Sequence, residues 1–197
     1  MDAWPIPRLP APVEPVTPRL RLRQWQDRDH AAFAAMNADP AVMRYFAGPL
    51  SAEDSGRSID AWQQAFAERG WANWAVELRA SSAFIGFVGL SIPRRVFAFS
   101  PCVEIGWRLA RAHWGQGFAT EAALAALKVG FNTLRLDQIV SFTSLVNTPS
   151  RALMQRIGMT DSGEDFDHPA LPEGSRLRRH CLYRLTHDQW RAHRAAD

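Results

Sequence analysis

Apolar and polar residues alternate through Arg19-Leu20-Arg21-Leu22-Arg23, the pattern of a half-buried strand. Asp27 or Asp29 then caps a short helix from Ala31 to Met36, which Pro40 breaks. Ser51, with Asp54 three residues on, opens a longer helix that runs to Arg69 and stops at Gly70. Two apolar runs, Trp74 to Leu78 and Phe84 to Ser91, flank the polar turn Arg79 to Ser82 and predict a hairpin. A connection around Phe97 to Pro101 leads into a further strand, Val103 to Leu109. Leu124, Leu127, Phe131 and Leu134 then recur at helical spacing, and Ala119, Ala122, Ala123 and Ala126 let that helix, Glu121 to Asn132, lie close on a sheet. Ile139 to Thr143 predicts another strand, and Asn147-Thr148-Pro149 opens a helix striped by Leu153 and Ile157 and ended by Gly158. Strands near Met159 and at His180 to Leu185, then a Thr186-capped helix, complete the order.

The start of the chain has no such period. Six prolines between Pro5 and Pro18 make residues 1–17 an extended arm, on the surface or mobile, ahead of one domain over 18–197. They also forbid the apolar helix of a signal peptide, and no later run is long enough to span a bilayer, so a soluble, cytoplasmic protein is expected. At 197 residues one domain has room for a sizeable core, and most of the eight tryptophans are assigned to it. The net charge of +3 comes almost wholly from arginine and favours anionic ligands. Arg176, Arg178, Arg179 and Arg184 lack the interleaved aromatics that stack bases, so they read as a solvated face and direct nucleic-acid binding is not expected. Cys102 and Cys181 have neither metal-ligand spacing nor a disulfide framework around them, and no metal is expected.

The chemistry concentrates in Trp114-Gly115-Gln116-Gly117-Phe118-Ala119-Thr120-Glu121, between the strand and the helix. A helix start exposes amides that attract anions, and glycines with a small residue behind them let a phosphate approach. A Gly-Lys-Ser/Thr ending is absent, which argues against a triphosphate. The third glycine of a dinucleotide fingerprint is missing, and the next strand, Gln138 to Thr143, carries no acid for a ribose. A coenzyme A diphosphate fits what remains.

The order of elements, together with Glu104-Ile105-Gly106-Trp107, the glycine run through Ala122, and Asn147-x-x-Ser150-Arg151 followed by Ile157-Gly158-Met159, resembles the GCN5-related N-acetyltransferase (GNAT) superfamily. The likeness covers about residues 17 to 190 and is greatest to the ribosomal-protein-alanine acetyltransferase branch. It implies an α/β (α+β) fold: a mixed, mostly antiparallel sheet of about seven strands flanked by helices and splayed between the fourth and fifth strands. It implies acetyl-CoA as donor, transferred directly to a primary amine of a protein N-terminus or a small molecule. The pantetheine arm would pair with backbone from Trp107 to Leu109, the amides of Gly115, Gln116, Gly117 and Ala119 would hold the pyrophosphate with Trp114 and Thr120 bounding them, and Asn147 would reach the pantetheine. Trp114 replaces the Gln or Arg of much of the superfamily, which leaves phosphate binding to the backbone.

Transfer needs a group to take the amine proton and a donor for the departing thiolate. Glu104 is the candidate base, directly or through water, with pairing to an arginine or exposure to solvent as the alternative. The superfamily's tyrosine acid is replaced by Met154, so Ser150 is the candidate donor, set against a plain helix cap or protonation by water. His168, in the loop expected to face the acceptor, is either a second base or a loop-fixing hydrogen-bond partner beside Pro169. Tyr45, Phe46 and Trp74 are expected to line the acceptor cleft. A coenzyme-A-binding regulatory module without turnover and a ribosome- or RNA-binding protein remain open, as do a monomer and a homodimer.

Overall fold

The computed structural model describes Trp4 and residues 6–195, the last two by backbone alone, so Pro5 and both extreme ends of the predicted arm and domain lie outside the described residues. In chain order the elements are β1 Leu20–Arg23, α1 Asp29–Ala38, α2 Pro40–Met43, α3 Ala52–Arg69, β2 Asn73–Leu78, β3 Phe84–Ser91, β4 Glu104–Leu109, α4 Phe118–Lys128, β5 Gln138–Ser144, α5 Thr148–Arg156, β6 Thr160–Asp161, β7 Phe166–Asp167, β8 Arg179–Thr186 and α6 His187–Ala195. The sheet runs β1-β2-β3-β4-β5-β8-β6, with β7 also on β8. Eight strands form it, because the two-residue β7, too short for any alternation to register, adds one to the seven expected.

Every pair is antiparallel except β4 with β5. β3 and β4 are paired along their length, from Gly86↔Leu109 to Ser91↔Glu104, whereas β4 meets β5 only at Glu104↔Val140. Beyond that point the two strands part, which is the predicted splay. α1 packs on α3 and on β3, and α4 packs on β1, β3 and β4. Leu20, Leu22, Val76, Ile85, Val88 and Ile105 form the buried centre of the sheet.

Local expectations fail where tertiary pairing claims a residue. Asp29 does not cap α1: its carboxylate takes both terminal nitrogens of Arg23, at 2.7 and 2.8 Å, while Arg23 Nε donates to Glu77 at 2.7 Å. This buried triad turns Arg23 inward from a strand predicted to be polar on that side, and Arg28 stands at the cap position without capping the helix, its side chain reaching Gln26 and Glu77 instead. Pro40 does not simply end a helix but starts the one-turn α2, capped by Asp39. α4 begins at Phe118 and continues as a π-helical turn over Val129–Thr133. The capping box of α3 forms as expected, with the Asp54 N–H donating to Ser51 Oγ at 3.0 Å.

Candidate active site

Where β4 and β5 part, a cavity of about 400 Å³ opens, bordered by both strands, by the segment after α2, by α5 and by the loop before β8. On its donor side the glycine loop follows a short turn, Arg111–His113. Gly115 (φ 72°) and Gly117 (φ 78°) hold the left-handed conformation that other residues adopt at a cost, and a Cβ on Gly115 would meet nothing within 4 Å. No side chain caps the helix start at Gly117, so its first amides are left for an anion. Ala119 and Thr120 stand half-buried in that first turn.

Two features here had no local signature. Arg19 reaches across the fold so that its Nη1 donates to the Gln116 carbonyl at 2.9 Å, its Nε pairs with Glu121 at 2.6 Å, and its guanidinium covers the Phe118 ring at 4.5 Å. Thr17 Oγ1 donates to the other Glu121 oxygen at 2.6 Å, so the end of the arm buttresses the loop. Trp114, placed at the cofactor by sequence reasoning, instead turns its indole onto the Leu109 carbonyl at 2.8 Å. One lone pair of that carbonyl is thereby taken, whereas the Trp107 backbone has no such side-chain partner. The carbonyls of Val103 and Ile105 accept from Val140 N–H and Ser141 Oγ on the β5 side, and strand alternation turns the Trp107 backbone the same way, into the opened gap.

At the head of α5, Asn147 Oδ1 accepts from the Ser150 N–H at 3.3 Å and its Nδ2 donates to Thr143 Oγ1 at 2.8 Å, so both ends of this side chain serve the cap. Ser150 Oγ accepts from the Trp107 indole N–H at 3.2 Å, which leaves the hydroxyl proton free to be donated. The Met154 side chain borders the cavity where the superfamily has a tyrosine.

On the acceptor side, Glu104, Gly106 and Arg108 share one face of β4 and all border the cavity. Glu104 has no hydrogen-bond or ion-pair partner among the described residues, and burial pushes its carboxyl up to about 8. The arginine pairing considered from the sequence is thus not made. Tyr45 and Phe46 also line the cavity, with the Phe46 ring against the Arg108 guanidinium. Trp74 does not: it is wholly buried, edge-on to Phe66 at 6.0 Å, and its indole donates to the Val13 carbonyl at 2.7 Å. Strand alternation puts its neighbour Asn73 on the cavity instead.

His168 lines the cavity and also makes the loop bond over Pro169, its Nδ1 accepting from the Ala170 N–H at 3.2 Å. Its ring lies 4.9 Å from that of His180, which sequence spacing gave no reason to single out. His180 donates Nδ1–H to the Arg178 carbonyl at 2.9 Å, leaving Nε2 as an acceptor. Burial lowers both imidazoles; the neighbouring His180 and then Arg95 lower His168 further, while the Arg178 carbonyl offsets part of the burial at His180.

The comparisons decide the family. The family model for the acetyltransferase (GNAT) domain matches residues 19–160. The chain belongs to the GNAT acetyltransferase family. Among relatives of this GNAT protein, the uncharacterized protein YkkB of Bacillus subtilis is 35% identical over 147 residues, 73% of this chain and 83% of that one. A GNAT-family acetyltransferase from Bacillus anthracis superposes with a TM-score of 0.74 at 26% identity, covering 89% of this chain and 99% of the other. RimL, a ribosomal L7/L12 alpha-N-protein acetyltransferase solved with coenzyme A, shares the fold at a TM-score of 0.68 and 16% identity, over 87% and 96% of the two chains. The chain is accordingly an acetyl-CoA-dependent N-acetyltransferase, and no helix among its described residues is long and apolar enough to cross a membrane.

Proposed function

We propose that this acetyltransferase moves the acetyl group directly from acetyl-CoA to a primary amine in the cavity beside β4, with Glu104 as base and Ser150 as proton donor. The carrying observation is Glu104 itself: a carboxyl on the wall of the gap, without a cation, that exchanges its proton near neutral pH. Four features support acetyl-CoA as the occupant of the gap: the bare Gly115 and Gly117 loop, the uncapped start of α4, the single β4–β5 pairing and the inward Trp107 backbone. The loop amides would hold the pyrophosphate and Trp107 would pair with the pantetheine. The amine nitrogen attacks the thioester carbonyl and gives its proton to the Glu104 carboxylate. The carbon–sulfur bond then breaks, the leaving sulfur takes the Ser150 hydroxyl proton, and the proton held by Glu104 returns to Ser150 through solvent.

Two measurements test this. Acetyl-CoA at about 100 times its dissociation constant should stabilise the fold by about 2.7 kcal/mol in a thermal scan. Amines should release free thiol from acetyl-CoA, and Glu104→Gln should suppress that release. Coenzyme binding without thiol release across a broad amine panel would mark a regulatory module, and salt-sensitive RNA binding without coenzyme binding would mark the other alternative.

A further inference from the structure

Among the described residues, most buried or half-buried arginines meet a carboxylate, as Arg23 meets Asp29 and Glu77, and Arg178 meets Asp167. Arg108 does not. Its Nη1 donates to Asn37 Oδ1 at 2.6 Å, and its guanidinium lies 4.1 Å over the Phe46 ring and 5.5 Å from that of Phe87. Its Nε is buried with no acceptor at all. Asn37 is itself fixed, its Nδ2 donating to Ser55 Oγ at 3.0 Å, so the guanidinium is held in one pose. Burial depresses Arg108 to about 10, which still leaves it charged at neutral pH.

A fixed, half-buried cation that borders the cavity and meets no carboxylate calls for an anion, and the planar fork of a guanidinium matches a carboxylate. Between Arg108 and Glu104, about 13 Å apart along the strand, the floor is Gly106, where a Cβ would meet nothing within 4 Å. Asn73 borders the same cavity from β2. We propose that the acceptor is a primary amine bearing a carboxylate, which Arg108 clamps while the amine lies over Gly106 toward Glu104. This rests on acetyl transfer in the same cavity and adds its substrate class. A polyamine fits badly, because its second ammonium would lie against the guanidinium.

The probes are leucine and phenylalanine, each with its carboxamide and its decarboxylated amine, compared by thiol release and corrected for the unprotonated amine. Each acid should exceed its amide and its plain amine in kcat/KM by about 10- to 100-fold, the span of charge-assisted hydrogen bonds. Arg108→Gln should bring that ratio close to one while the acetyl-CoA thermal shift persists, and Arg108→Lys should retain part of it. A merely structural Arg108 would lower acid and amide turnover alike and leave the ratio unchanged, which would overturn the proposal. For acceptors that turn over too slowly to rank, the N-acetylated products are compared in thermal scans with coenzyme A present. Stabilisation by N-acetyl-leucine or N-acetyl-phenylalanine but not by their amides supports the clamp, and equal or absent shifts overturn it. A protein that acetyl-CoA does not stabilise would fail both readings, whereas one that it stabilises with a ratio near one fails this reading alone.

Discussion

The two sides of β4 are built in opposite ways. Toward the donor, one unbroken run from Trp114 to Glu121 supplies loop, glycines and helix start, and backbone groups face the ligand. Around the cavity, residues from β2, β3, β4, β5, α5, β8 and two loops converge, and Arg108 depends on Asn37 of α1, 71 residues away. A backbone cradle tolerates changes in most of its side chains but not in its glycines. A side-chain cavity can be retuned one residue at a time, so under the proposed function coenzyme recognition and acceptor choice are separable.

The sharpest way to break that separation is Gly117→Val. The new branch would enter a left-handed residue beside Arg19 Nη2, 3.3 Å from the added Cβ, and displace phosphate from the amides. With two charge-assisted hydrogen bonds lost at about 2 kcal/mol each, acetyl-CoA affinity should fall about 10³-fold by isothermal titration, with the variant still folded by circular dichroism.

Glu104→Gln should do the reverse. Coenzyme affinity should hold while kcat drops about 10²-fold at pH 7. With Glu104 as the proposed base, ionised when it loses its proton near 8, wild-type turnover should climb through that pH and level off above it, an inflection the variant should lack. An unchanged pH profile in Glu104→Gln would move the base to the His168–His180 pair.

Ser150→Ala should cost about tenfold in kcat with little pH rescue, and Trp107→Phe, which removes only the indole donor to Ser150, about threefold in the same assay. A Trp107→Phe loss that persists in the Ser150→Ala background would show that the indole acts elsewhere.

The smallest effect is on stability. The folded carboxyl of Glu104 titrates at about 8, above its ordinary value of 4.5, so the folded state keeps a proton that the unfolded chain releases. Stability should therefore fall as pH rises between those values. Glu104→Gln, neutral throughout, should match wild type near pH 4.5 and exceed it by a few °C in Tm at pH 8, measured without coenzyme.

What was legible in the sequence follows the same divide. The Gly117 turn, the Ser51 box and the Asn147 cap are local, since each is fixed by residues within four positions. Alternation predicted the β2–β3 hairpin nearly to the residue. An apolar run does not say which face of β2 meets the cavity, so the sequence points to Trp74 where Asn73 stands. Arg19 with Glu121, Arg108 with Asn37, and His168 with His180 are pairings across the fold, and isolated polar residues carry no mark of a distant partner.

The proline-rich arm has a consequence of its own. The indoles of Trp71 and Trp74, both fully buried, donate to the Pro7 carbonyl at 2.8 Å and the Val13 carbonyl at 2.7 Å. Proline offers an acceptor and brings no N–H, so such a segment can satisfy buried donors while adding few donors of its own. The arm works as a strap over the tryptophans, and a chain shortened to begin at β1 would keep every strand while stranding two indole N–H groups inside.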